Sequence, residues 1–161
     1  MGRRLFATPR RDWWRIGFGS AMLVIVLTAS GFVLLWKEPV RIDPSDSNQV
    51  ALGKQLYATA CASCHGTALE GQPDWQRRLP NGRLPAPPHD ASGHTWHHSD
   101  AFLVLVIQRG AAAYPEGYPT DMPAFGDTLS DREIAAILAY IKSRWPADIR
   151  ARQSRLGGAR S

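Results

Sequence analysis

The sequence predicts an all-α protein, in which one N-terminal transmembrane helix precedes a small domain of three or more short helices. Residues 16–36 form a largely apolar run of 21 residues without a charge, and this is long enough to cross a bilayer. Beyond it, apolar residues recur at steps of three and four in three segments, which is the spacing of a helix face. Stretches rich in proline and glycine separate these segments, and such stretches are typical of loops.

The net charge of +5 is concentrated at the two ends of the chain. Residues 1–36 contain five arginines and one aspartate, and residues 147–161 contain four arginines and one aspartate. Residues 46–146 contain eight lysines and arginines against ten acidic residues. Because no basic patch interleaved with aromatic residues is present, the composition excludes a nucleic-acid-binding protein.

Residues 16–36 are predicted to be a membrane anchor. The five arginines of residues 1–15 outnumber Lys37 and Arg41 on the other side, so the positive-inside rule places the N-terminus in the cytoplasm and the following domain in the bacterial periplasm. Tryptophans mark both ends of the run: Trp13, Trp14 and Trp36. A cleaved signal peptide is the alternative, since residues 28–30 are small and suit a cleavage site. The apolar run continues past them, which favours retention.

The soluble part divides into a linker, a helical domain and a tail. Residues 37–46 contain two prolines and are predicted to be a stiff spacer holding the domain at 47–146 close to the membrane. A first helix is expected at 47–60. Its internal Gly53 costs about 1 kcal/mol in helix propensity, which we interpret as close approach of another helix. The arginine-rich residues 147–161 are predicted to be disordered.

Two further helices carry clear end signals. Ser99 is the expected N-cap of a helix over 99–108 that Gly110 would stop. Ser130 and Glu133 form a capping box that opens the last helix, which Pro146 would end. Residues 66–98 contain many prolines and glycines, and so long an irregular stretch is typical of a loop that serves a ligand.

The motif that carries the chemistry is Cys61-Ala62-Ser63-Cys64-His65. C-x-x-C-H is the attachment signal for a c-type haem: two thiols form thioethers with the porphyrin, and the histidine binds iron. Residues three and four apart share one helix face, so Cys61, Cys64 and His65 can face one planar ligand. We therefore predict one covalently bound haem c.

Three other interpretations of the two cysteines are weaker. A thioredoxin-like redox pair needs a β-α-β context, but the residues before Cys61 have a helical pattern. A zinc site would need further ligands, and only a Cys2His2 set with downstream histidines is available. A disulfide between Cys61 and Cys64 would close too short a loop to contribute much stability.

Met122 is the predicted second axial ligand of the iron. Of the three methionines, Met1 is the initiator and Met22 lies in the apolar run. Pro123 stiffens the loop that carries Met122, and a thioether ligand raises the potential relative to two histidines. Alternatives remain for four histidines, which are His89, His94, His97 and His98. One of them could be the iron ligand, or several could form a copper or zinc site. They also fit as ordinary loop residues near the haem.

The chain resembles class I c-type cytochromes of the membrane-anchored, monohaem bacterial type over about residues 46–146. The resemblance rests on the sequence from Cys61 to Gly66, on Gly53 and Tyr57, on Met122-Pro-Ala-Phe125, and on Ile137-Leu-Ala-Tyr140-Ile141-Lys142. It implies a small cytochrome c fold in which the first and last helices cross near the haem, with Gly53 and Tyr140 at the crossing. It also implies that a proline carbonyl, of Pro87 or Pro88, accepts a hydrogen bond from the ligand histidine. Trp96 is a further candidate for contact with the haem edge.

The function implied is single-electron transfer between membrane and soluble redox proteins at the bacterial inner membrane, and not enzymatic catalysis. An iron with both axial positions filled has no open position for a substrate. Three alternatives stay open: an electron-accepting subunit of a larger dehydrogenase or oxidase, a copper-handling or other metal-handling protein, and a peroxidase-like or gas-binding haem protein with a labile sixth ligand.

Overall fold

The computed structural model describes residues 41–156 of the chain. The predicted cytoplasmic segment 1–15 and anchor 16–36, together with the start of the linker, lie outside the described residues. Within residues 41–156, no helix is both long and apolar enough to cross a membrane. This part of the chain contains helices and no strand, which confirms the all-α class.

The observed helices follow the predicted order. They are α1 (Ser47–Ala60), α2 (Ala62–His65), a 3-10 turn (Thr95–His97), α3 (Asp100–Arg109), a second 3-10 turn (Gly110–Ala113), α4 (Asp131–Ser143) and α5 (Ala147–Ser154). The predicted end signals are confirmed. Ser99 caps α3 by accepting a hydrogen bond from the Phe102 amide, and Gly110 ends that helix. Ser130 and Glu133 form both hydrogen bonds of the capping box at α4.

Helices α1 and α4 cross in close contact at Gly53. A Cβ atom on Gly53 would lie 1.9 Å from the Ala136 carbonyl oxygen and 3.0 Å from the Tyr140 Cβ. The prediction that this glycine permits close approach of a second helix is therefore confirmed. One turn further along α1, Tyr57 is buried and its ring packs against that of Tyr140 at a centroid distance of 5.5 Å.

Two apolar clusters form the core on either side of α4. The first joins α1, the end of α4 and the loop after α2, through Tyr57, Leu69, Ile137, Tyr140, Ile141 and Trp145. The second joins α3 to the start of α4, through Leu103, Ile107, Ile134 and Leu138. Ile42 at the end of the predicted linker and Met122 both pack against this second cluster. Helix α4 is thus the central element that holds both halves of the domain together.

The prediction that disorder begins at residue 147 is wrong, because residues 147–154 form helix α5. The arginine-rich composition indicated a solvated tail, but the helix docks through Ile149, which packs against the first apolar cluster, and through the buried Gln153. Gln153 is 2% exposed. Its side-chain nitrogen donates hydrogen bonds to the His98 carbonyl at 3.2 Å and to Asp100 at 2.6 Å. Asp100 also receives both 2.8 Å contacts of the Lys142 ammonium, so one carboxylate joins α3, α4 and α5.

Candidate haem-binding site

The cysteine motif forms one tight turn between α1 and α2. Cys61 is the C-cap residue of α1 and the N-cap residue of α2. Its carbonyl accepts a hydrogen bond from the His65 amide at 2.9 Å. Both cysteines are free thiols, Cys61 half-buried and Cys64 exposed, so they do not form a disulfide. Burial, helped by the neighbouring Cys64, raises the pKa of the Cys61 thiol to about 11. A redox-active pair would need the opposite shift, so this turn does not resemble a thioredoxin site.

His65 is buried and held by a carbonyl oxygen from a distant part of the loop. Its Nδ1 lies 2.8 Å from the Pro87 oxygen. Because a carbonyl can only accept, Nδ1 carries the proton, and the lone pair of the ring is on Nε2. Burial lowers the pKa of His65, and the Pro87 hydrogen bond opposes that shift only in part, so the imidazole is neutral near pH 7. A neutral histidine whose Nε2 lone pair is free is in the form that binds a metal ion.

The long loop after the motif is folded back on itself and carries Pro87 to His65. The Gln72 amide donates to the Ala86 carbonyl at 2.9 Å, and the Gln72 side-chain oxygen accepts from the Ala86 amide at 2.9 Å. Gly71 has a φ of +68°, and a Cβ there would lie 2.5 Å from the Pro88 nitrogen. This close contact requires glycine at position 71. The sequence did not indicate that requirement, because Gly71 lies in an irregular loop.

Tyr57 also holds the turn that carries the cysteine motif. Its hydroxyl lies 3.3 Å from the His65 carbonyl oxygen and 3.0 Å from that of Gly66. The ring is 1% exposed, and burial is the main cause that raises the pKa of its hydroxyl above the ordinary value. The hydroxyl therefore stays protonated and acts as a donor that holds the end of α2 against α1.

Sequence reasoning did not identify His89 as a partner of His65, although it noted His89 as a loop histidine. The two imidazole rings stack, with centroids 4.0 Å apart and planes 24° apart. His89 Nδ1 lies 2.9 Å from the Thr95 hydroxyl. No periodic pattern could reveal this contact, because it joins residues on opposite sides of an irregular loop.

Met122 lies on a loop that is fastened to the end of α3. Its amide donates to the Thr120 hydroxyl at 3.1 Å, and its carbonyl accepts from the Ala111 amide at 3.1 Å. A Cβ on Gly110 would lie 2.5 Å from that same carbonyl, so the loop sits directly on the helix end. Phe125 completes the attachment by donating to the Ile107 carbonyl at 2.9 Å.

Arg83, which the sequence did not single out, joins the loop that carries Pro87 to the loop that carries Met122. Its guanidinium donates to the Thr120 carbonyl at 2.5 Å and lies 3.4 Å from an Asp121 oxygen. The adjacent Leu84 amide donates to the Pro119 carbonyl at 3.0 Å. The two segments that carry the predicted axial residues are therefore connected directly.

The remaining histidines contact aromatic rings, and the rings of His94 and His98 also meet edge-on, 5.5 Å apart between centroids. His94 stacks on Trp75 at 5.3 Å, His98 packs against Phe102 at 4.9 Å, and His97 stacks on Trp96 at 3.7 Å between centroids. Within residues 41–156, no group of three or more His, Cys, Asp or Glu side chains is placed to hold a metal ion. The described structure therefore gives no support to a second metal site in this loop.

Of the other residues predicted at the site, Pro88 and Trp96 have different surroundings. The Pro88 carbonyl lies 3.4 Å from the Thr95 hydroxyl, so Pro87 is the proline whose oxygen meets His65. Trp96 packs against the first apolar cluster, with the Arg152 guanidinium 5.0 Å from its ring centroid. Its contact with the haem edge stays a prediction.

The turn and the histidine together fit a covalently held haem. Two free thiols lie on one helical turn, and the histidine that follows them has its Nδ1 proton fixed by a carbonyl and its Nε2 lone pair free. This is the donor set that a c-type haem requires. The fold and the site thus define a small, all-α protein of the covalent haem class.

Comparison with known proteins identifies the family. A family model described as Cytochrome c matches residues 50–145, and the chain belongs to the cytochrome c family. Family membership gives it one covalently bound haem c. The predicted class I c-type cytochrome is therefore confirmed.

The relatives are mostly longer proteins. A cytochrome bc1 complex cytochrome c subunit of Mycobacterium tuberculosis is 34% identical over 76 residues, covering 45% of this chain and 27% of the relative. A quinohemoprotein alcohol dehydrogenase, ADH IIB, of Pseudomonas putida is 33% identical over 134 residues, covering 83% of this chain and 16% of the relative. Cytochrome c-555 of Prosthecochloris aestuarii is 29% identical over 103 residues, covering 57% of this chain and 84% of the relative. No solved structure matches the chain.

Proposed function

We propose that this protein is a membrane-anchored monohaem cytochrome that transfers single electrons between respiratory-chain partners on the periplasmic face of the bacterial inner membrane. His65 and Met122 are its axial iron ligands, and Cys61 and Cys64 bind the porphyrin. The observation that carries the proposal is the 2.8 Å contact between His65 Nδ1 and the Pro87 oxygen, because it leaves Nε2 of His65 free beside two unpaired thiols.

The bound haem supplies an iron that changes its oxidation state by one electron. The protein contributes ligands that stay in place during that change. His65 is held by Pro87, and the Met122 backbone is held at the end of α3. Ligands fixed in this way change little between oxidation states, which keeps the reorganisation on electron transfer small. With both axial positions filled, no position is left for a substrate.

The ligand assignment is tested with Met122→Ala in the purified holoprotein. We expect a lower reduction potential, because the soft thioether donor is lost, and rapid binding of carbon monoxide to the reduced iron. Met22→Leu is the matched control and should change neither property. If Met122→Ala keeps the potential and stays closed to carbon monoxide, Met122 is not the ligand.

The anchor and its orientation are tested in cells. We expect the full-length chain to sediment with membranes and a variant lacking residues 16–36 not to do so. Protease added to spheroplasts should cut the haem domain but not a tag placed at residue 1. Recovery of a soluble, N-terminally shortened product from the full-length gene would instead support the cleaved signal peptide.

A second candidate is an electron-accepting subunit of a larger complex. It is supported by the relatives, two of which are named as a subunit of a bc1 complex and as an alcohol dehydrogenase. Purification in mild detergent distinguishes the two candidates. A single haem protein on the gel supports the free carrier. Co-purification with one dehydrogenase or oxidase at a constant molar ratio supports the subunit.

A further inference from the structure

We propose that His89 is a positioning residue that fixes the ring plane of His65 by stacking on it. The inference rests on the proposed function, in which His65 binds the iron. The two ring centroids are 4.0 Å apart and the planes differ by 24°, so the imidazoles lie face to face in direct contact.

His89 is itself held on several sides. Its amide donates to the Leu69 carbonyl at 2.8 Å, and its carbonyl accepts the Trp145 indole N–H at 2.7 Å. The ring of Tyr57 meets it edge-on, with centroids 6.2 Å apart. Leu69, Tyr57 and Trp145 are each at most 2% exposed. The backbone of His89 is therefore attached to residues of the first apolar cluster, and its ring also contacts Tyr57 of that cluster.

The orientation of the His89 ring is set through a hydroxyl. Thr95 Oγ1 lies 3.4 Å from the Pro88 oxygen and 2.9 Å from His89 Nδ1. The hydroxyl is therefore within hydrogen-bond distance of both groups and holds Nδ1 of His89 in place. Thr95 thus links the His89 ring to the Pro88 carbonyl, next to the Pro87 carbonyl that contacts the His65 ring.

Stacking supplies a constraint that the hydrogen bond alone does not. The contact with Pro87 holds one edge of the His65 ring, but a ring held at one edge can still tilt about it. The flat surface of His89 closes the space on one face and prevents that tilt. Residues behind a metal ligand commonly set its orientation in this way, and the plane of an axial imidazole is visible in the g values of a low-spin ferric haem.

The test is electron paramagnetic resonance of the ferric holoprotein in four variants. His89→Leu should change the g values, because the flat stacking surface is lost. His89→Phe should keep the wild-type g values but broaden the signal, because it keeps the flat ring and loses the contact with the Thr95 hydroxyl. Thr95→Val should broaden the signal by releasing the orientation of His89. His97→Leu, on the same loop but stacked on Trp96, is the control and should match the wild type.

The outcomes separate this inference from the function on which it rests. Wild-type g values in His89→Leu would overturn it, and so would a His89→Phe signal identical to that of His89→Leu. If His89→Leu does not accumulate, wild-type g values with a broadened signal in both His89→Phe and Thr95→Val support the inference, and any other pair overturns it. The alkaline pyridine spectrum of the wild type checks haem attachment independently, and its failure would remove the proposed function instead.

Discussion

Replacement of Gly53 by alanine would test the packing on which the whole domain depends. The added methyl carbon would lie 1.9 Å from the Ala136 carbonyl oxygen, where carbon and oxygen in contact need at least about 3 Å. The obstructing atom belongs to the backbone of α4, so it cannot rotate aside as a side chain would. Helix α1 would have to retreat by roughly 1 Å, which would loosen the contact between Tyr57 and Tyr140.

The expected loss follows from two opposing effects. Overpacking in a core costs about 1–3 kcal/mol, and the rigid carbonyl places this case at the upper end. Alanine is favoured over glycine in a helix interior by about 1 kcal/mol, which offsets part of that cost. The net result is destabilisation by about 2 kcal/mol, or a melting temperature lower by roughly 8–12 °C for a domain of this size.

Thermal unfolding of the purified holoprotein, followed by far-ultraviolet circular dichroism, measures this difference. Lys54→Ala is the matched control, because Lys54 is exposed on the same helix and next to Gly53, and its melting temperature should stay near that of the wild type. A Gly53→Ala variant as stable as the wild type, or more stable, would show that helix propensity outweighs the contact and would refute the close crossing.

Three further changes have defined outcomes. Tyr57→Phe removes the donor to two carbonyls of the haem-attachment turn and should cost about 1 kcal/mol, measured by guanidinium unfolding; no loss would mean that the hydroxyl is not used. Gln153→Ala should free α5 and destabilise the domain by about 1–3 kcal/mol, with faster amide exchange in residues 147–154; unchanged exchange would contradict its anchoring role. Glu133→Gln tests the capping box: hydrogen bonds from Ser130 lower the pKa of Glu133 below 4.5, so its contribution is present above that pH and is lost as the pH falls through the folded-state value. The melting temperatures of wild type and variant should therefore differ at neutral pH and converge in acid, and a constant difference would exclude the carboxylate as the cause.

Local signals in the sequence were sufficient for helices α1, α3 and α4 and for the haem motif. Ser99, Ser130 and Gly110 act within one turn of their own position, so residue type alone predicts the helix ends. Likewise, Cys61, Cys64 and His65 are adjacent in sequence, and their spacing encodes the site. Gly53 was also interpretable, because a glycine in a helix interior is costly unless something close to it requires the space.

Contacts between distant segments could be decided only by the folded chain. The path of the loop, which turns at Gly71, decides which of two adjacent prolines meets His65 and that His89 stacks on the same ring. No periodic pattern exists in this loop. The docking of α5 was likewise hidden, because Gln153 is held by hydrogen bonds to a carbonyl and a carboxylate on α3 and the residues before it. The sequence by itself therefore determined the haem-attachment motif, since that motif consists of five consecutive residues. The tertiary structure decided how His65, the proposed iron ligand, is held, since its contacts with Pro87 and His89 join residues more than twenty positions apart.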